Sequence, residues 1–187
     1  MNSNINLTED EKDCLQELMN VAYGSATAAI TEILNAFANL SIPKIQIIDS
    51  SELKPYLSNK LNLEMEHLVS LQQLNGTISG ENMFVIDKQS AINIAYKFGL
   101  EDDEIDDNEI SDIVLEITNI LSSSTISKLA EDIDTNVSFS APTIKVIIIS
   151  TELNFEELNI RAELFILTTD NSILFIKEKI NKILDEL

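Results

Sequence analysis

The sequence predicts an α+β fold: a mostly antiparallel central sheet, two long helices packed together on one face, and further helices flanking it. Three observations carry that prediction. Apolar residues recur at helical spacing over two long stretches, one beginning near Leu15 and one near Ile113. Runs with strand-like alternation follow each stretch. No strand leads into a Gly-rich phosphate loop, so a doubly wound nucleotide fold has no support.

The elements follow in order. Thr8 is placed to cap the first long helix, with Glu11 three positions on completing a capping box and Glu9 and Asp10 in the first turn. Its apolar stripe runs from Leu15 through Met19, Ala22 and Ile30 to Leu34 and Phe37. The stretch Ala22–Ala29 is rich in small residues and predicts a second helix packed closely across it. Pro43 stops the segment, and 44–49 (KIQIID) alternates like a short strand. Ser51–Ser58 reads as a short connecting helix despite Pro55. His67–Leu74 and Thr77–Ile86 read as two strands meeting at Asn75-Gly76, the dipeptide a type I′ turn prefers. Asp87 then caps a helix through Phe98, ended by Gly99.

The second half repeats the order. A helix covers roughly Glu109–Glu131, Ile144–Ile149 forms a strand that 151–155 extends, and Asn159–Thr168 forms another. Asp170 or Asn171 caps a final helix to Leu187. The chain is thus expected to be a single domain of two pseudo-repeats, about 8–99 and 107–187, joined by an acidic linker at about 100–107. The run 101–109 (EDDEIDDNE) lacks the glycine and spacing of a calcium-binding loop, so it reads as solvated linker.

Charge narrows the function classes. Twelve basic residues face 32 acidic ones, for a net charge of −20, and no basic run is present. Binding to nucleic acid or to an anionic membrane surface is therefore not expected. A partner with a basic face is favoured instead. No apolar run approaches the ~20 residues of a bilayer span. The polar, acidic residues 1–10 do not read as a secretory leader, and the one cysteine, Cys14, fits a reducing cytoplasm. The lone His67 has no second ligand beside it, so no metal site is expected.

The chemistry concentrates in a motif that occurs twice. Asp13–Asn20 (DCLQELMN) and Asp112–Asn119 (DIVLEITN) both read Asp, three residues, Glu, two residues, Asn, and each has a proline 23 positions after the Asn, Pro43 and Pro142. The offset is 99 residues throughout (116 − 17, 119 − 20, 142 − 43), in a chain with only three prolines. On a helix, i and i+3 lie about 4.5 Å apart along the axis on one face, so Glu17 with Asn20, and Glu116 with Asn119, present a carboxylate beside a carboxamide. Asp13 and Asp112 sit one turn earlier on nearly the same face. A carboxylate can hold a partner's Lys or Arg, and a carboxamide both donates and accepts, which suits orienting a water. Neither is a strong nucleophile, so the pair is fitted to dock and position. A solvated helix face remains the plain alternative.

These residues resemble a known family. ELMNVAYGSATAAI (Glu17–Ile30) and EITNILSSSTISKL (Glu116–Leu129) are similar to the two active-site segments of the CheC, CheX and FliY chemotaxis phosphatases. Two complete motifs resemble CheC. The resemblance implies hydrolysis of the aspartyl phosphate of a CheY-like response regulator, a hydrolase reaction within chemotaxis or two-component signalling. By similarity Glu17 and Glu116 pair with the regulator's lysine and Asn20 and Asn119 orient the attacking water; Asp13 and Asp112, one turn earlier, are expected to assist binding. The chain needs no cofactor of its own; Mg²⁺ belongs to the regulator. Met19 and Thr118 stand where the family has glycine, and Ala22 replaces another. The added helix that carries CheC's CheD-binding surface has no counterpart after Pro142, so CheD is not an expected partner. CheX shares that absence, which leaves homodimer and monomer equally open. The rival reading is a non-catalytic response-regulator-binding module of flagellar-switch type.

Overall fold

A computed structural model describes residues 6–48, 50–60, 66–138, 146–155, 158 and 160–186. Its elements are α1 (Glu9–Leu34), β1 (Asn39–Leu40), β2 (Lys44–Ile48), α2 (Ser50–Lys60), β3 (His67–Gly76), β4 (Gly80–Asp87), α3 (Lys88–Lys97), α4 (Asp107–Asp132), β5 (Val137–Ser138), β6 (Val146–Phe155), β7 (Ile160–Thr168) and α5 (Asp170–Asp185). The strands form one sheet in the order β1-β6-β7-β4-β3-β5, with β2 also on β6, and every pairing is antiparallel. This is the expected α+β fold. Its sheet interlaces the chain's halves: β2 joins β6 in the register Lys44↔Ser150, while β5 joins β3 at Gly76↔Val137.

Strand alternation sorts the core into two layers. Phe84 and Ile86 of β4, with Ala162, Leu164 and Ile166 of β7, face the buried sides of α1, α3, α4 and α5. The intervening residues Met83, Val85, Phe165 and Leu167 face the other way, against Leu53, Tyr56 and Leu57 of α2. Lys60 at the end of α2 pairs with Glu163 at 2.8 Å, fastening that helix to β7. Pro55 lies inside α2 without ending it.

The two 26-residue helices α1 and α4 pack against each other. Met19, Ala22 and Ala26 are fully buried on α1, as Ile117, Thr118 and Leu121 are on α4. The close crossing expected of the small stretch uses Ala22 and Ala26. Ser25 is exposed, and a side chain at Gly24 would meet nothing within 4 Å, so these two lie off the contact.

Caps explain where helices begin. Thr8 Oγ1 accepts from Glu11 N at 3.2 Å and Glu11 Oε2 from Thr8 N at 2.7 Å, the reciprocal box expected at α1. Asp87 Oδ1 accepts from Ser90 N at 2.8 Å at the start of α3. Asp106 accepts from both Asn108 N and Glu109 N, so α4 starts two residues before the expected Glu109.

Three expectations are corrected. Phe37 is not on the α1 stripe: Asn35 turns left-handed (φ 47°), the helix ends at Leu34, and Phe37 is 84% exposed. The turn is not at Asn75-Gly76. β3 runs through Gly76, Leu74 pairs Gly80, and the tip spans 77–79, where Ser79 N donates to Ser172 Oγ at 2.8 Å. The final helix is capped by Thr169, whose Oγ1 accepts from Ser172 N, not by Asp170 or Asn171. Pro142, and the expected strand start at Ile144, lie outside the described residues; β6 begins at Val146.

Candidate functional site

Each motif occupies the solvent side of one long helix. Asp13, Glu17 and Asn20 of α1 are exposed, and so are Asp112, Glu116 and Asn119 of α4. The residues between them point inward: Leu15 and Met19 on α1, Ile113, Ile117 and Thr118 on α4. Packing of the apolar stripes therefore fixes which way the polar ones face. Met19 and Thr118, at the positions where the resemblance leads one to look for glycine, are 0% and 3% exposed and belong to the helix contact. Thr118 satisfies its hydroxyl by donating to Val114 O at 2.6 Å.

Two glutamines that the motif reading passed over complete the surroundings. Gln16 Nε2 donates to Pro43 O at 2.7 Å, which ties the first motif proline to the turn carrying Asp13 and Glu17. Gln72, on β3, donates through Nε2 to Asn119 Oδ1 at 3.3 Å. A sequence signal existed for Gln72: it is a long polar side chain on the inward-facing phase of a strand with Leu68 and Leu74. Nothing local shows that α4 lies above it.

Apolar side chains rim both positions. Val21, next to Asn20, is 44% exposed, and Leu115, next to Glu116, is 56% exposed. Among the described residues no salt bridge engages Glu17 or Glu116. Each motif thus offers a partner an accessible carboxylate, a carboxamide and an apolar contact. Among the described residues no group of three or more His, Cys, Asp or Glu is placed to hold a metal, and no described helix is long and apolar enough to cross a membrane.

Residues 68–156 match the family described as chemotaxis phosphatase CheX. The flagellar motor switch phosphatase FliY of Bacillus subtilis is 22% identical over 155 residues, covering 78% of this chain and 38% of that protein. The crystal structure of Thermotoga maritima FliY superposes with a TM-score of 0.70 at 22% identity, covering 95% of this chain and 99% of that one. The chain is thus similar to the CheC/CheX/FliY family. It is a family of chemotaxis phosphatases. The FliM middle domain from H. pylori shares the fold, with a TM-score of 0.60 at 10% identity over 92% of this chain and 99% of that one. The CheX match includes α4 with Glu116 and Asn119, whereas Glu17 and Asn20 precede it. The chain spans about 38% of the length of the curated FliY relative.

Proposed function

We propose that the chain accelerates hydrolysis of the aspartyl phosphate of a CheY-like response regulator in the cytoplasm, at two sites contributed by repeated halves of one domain. Glu17 and Glu116 dock the regulator's active-site lysine, with Asp13 and Asp112 adding charge one turn away. Asn20 and Asn119 enter the regulator's acidic pocket and orient the attacking water. Catalysis here is positioning: in-line displacement at phosphorus asks the added protein for geometry and little covalent chemistry. Mg²⁺ is carried by the regulator.

The observation that carries this reading is the exposure of both Glu/Asn pairs, each on a helix whose buried stripe holds it outward. Accessible carboxylates without salt bridges to described residues suit capture of a lysine in trans. The likeness to a FliM middle domain keeps a second reading open, a binding module that holds the phosphorylated regulator without hydrolysing it. Decay of a radiolabelled CheY-like protein separates them. Asn20→Ala and Asn119→Ala should each keep part of the acceleration, and the double variant should lose nearly all. Unchanged decay alongside tight binding selects the module.

A further inference from the structure

Gln72 belongs to neither motif, yet among the described residues it is the side chain that hydrogen-bonds the side chain of a motif asparagine, Asn119. β3 positions it: its cross-strand partner is Asn82, and both point toward the helical layer beneath α4. Its Nε2 holds Asn119 Oδ1 at 3.3 Å. Its Oε1 is buried without a hydrogen-bond partner among the described residues. Gln72 also lines a half-open cavity of about 450 Å³, shared with Ser122, Ser123, Ser127 and Asn136. Asn119 is therefore not an untethered surface amide. One lone pair of its oxygen is taken, and its Nδ2 group is left to face solvent.

We infer that Gln72 is a positioning residue for the second site, fixing which end of the Asn119 carboxamide a docked regulator meets. This rests on the phosphatase reading above. An asparagine can offer a water either its oxygen or its nitrogen, and the two ends differ in where they place the water's own protons. Free rotation would present both in turn. The bond to Gln72 selects one, so less ordering remains when the regulator binds.

The test is made in the Asn20→Ala background, where only the second site acts. Gln72→Leu removes the donor and should lower kcat roughly two- to tenfold with KM unchanged, the scale of one neutral hydrogen bond. Gln72→Glu can only accept, so it turns Asn119 around and should lower kcat further than Gln72→Leu. In the Asn119→Ala background neither change should matter, which a merely structural role would not reproduce. Equal kcat in parent, Gln72→Leu and Gln72→Glu overturns the inference, as does an equal loss in both backgrounds. The side-chain amide resonances of Asn119, assigned with Asn119→Ala, give a readout independent of activity. They should shift and broaden in Gln72→Leu, and coincidence with the parent spectrum overturns the inference. If the Asn20→Ala/Asn119→Ala double variant keeps full activity, the assignment of catalysis to these asparagines fails instead, and the resonances alone decide the role of Gln72.

Discussion

Gln16 Nε2 donates to the carbonyl oxygen of Pro43 at 2.7 Å. The bond joins residues 27 positions apart and closes the loop after α1 back onto the motif turn. It holds the proline beside Glu17 and Asn20, which explains why spacing to a proline can form part of the motif. Gln16→Ala should cost about 1 kcal/mol of stability by loss of one part-buried hydrogen bond. It should weaken turnover at the first site only, measured in an Asn119→Ala background against an Asn20→Ala one.

The docking role of the carboxylates predicts a split in kinetic constants. Glu17→Ala with Glu116→Ala should raise KM for the phosphorylated regulator by roughly one to two orders of magnitude while changing kcat less, because such charges bind and steer. With a net charge of −20, the parent's kcat/KM should also fall as salt is raised, since long-range attraction is screened. A salt-independent kcat/KM would count against electrostatic capture.

Acid stability should report on the start of α1. Glu11 is 4% exposed. Burial alone would raise its pKa, but hydrogen bonds from Thr8 N, Lys177 and Asn181, with the Lys177 charge, outweigh this and hold it below its usual 4.5. Lys177 Nζ lies 3.0 Å from Glu11 Oε2. A carboxyl depressed in the folded state contributes stability above its unfolded pKa and loses it as pH falls through the folded value. Glu11→Gln should thus be less stable than the parent by roughly 1–2 kcal/mol at neutral pH. The gap should close below about pH 4, as urea midpoints across pH will show.

Gly80 should resist any replacement. A Cβ there would stand 1.9 Å from Leu167 O and 2.8 Å from Thr168 Cα, both backbone atoms that the β4–β7 ladder fixes. Gly80→Ala should cost about 2–4 kcal/mol, at or beyond the upper range for overpacking, read as a drop in denaturation midpoint.

What the sequence made legible was local. The Thr8/Glu11 box lies within one turn, and the stripes of α1 and α4 repeat often enough to be read unaided. What it hid was decided by distant partners. Asn75-Gly76 carries a turn signal, but Asn75 pairs with Ser138 and the reversal moves to 77–79, where Thr169 N donates to Ser79 O. Phe37 fits the period of α1, but a left-handed Asn35 intervenes. Two-residue strands such as β1 and β5 carry no periodicity to detect. In the candidate site the exposure of the motif residues on one face of each helix was readable from their spacing. The meeting of Gln72 with Asn119 was not, because it crosses 47 residues from strand to helix.

The exchange of edge strands bears on how the chain is made. β2 emerges from the ribosome roughly a hundred residues before β6, the strand it must join, and β3 waits roughly sixty residues for β5. Neither half can close its own border early, so consolidation should come late and as one event, slowed by its distant pairings. A nascent chain stalled before β6 should stay open to protease along its whole length, and one released past α5 should become resistant in a single step.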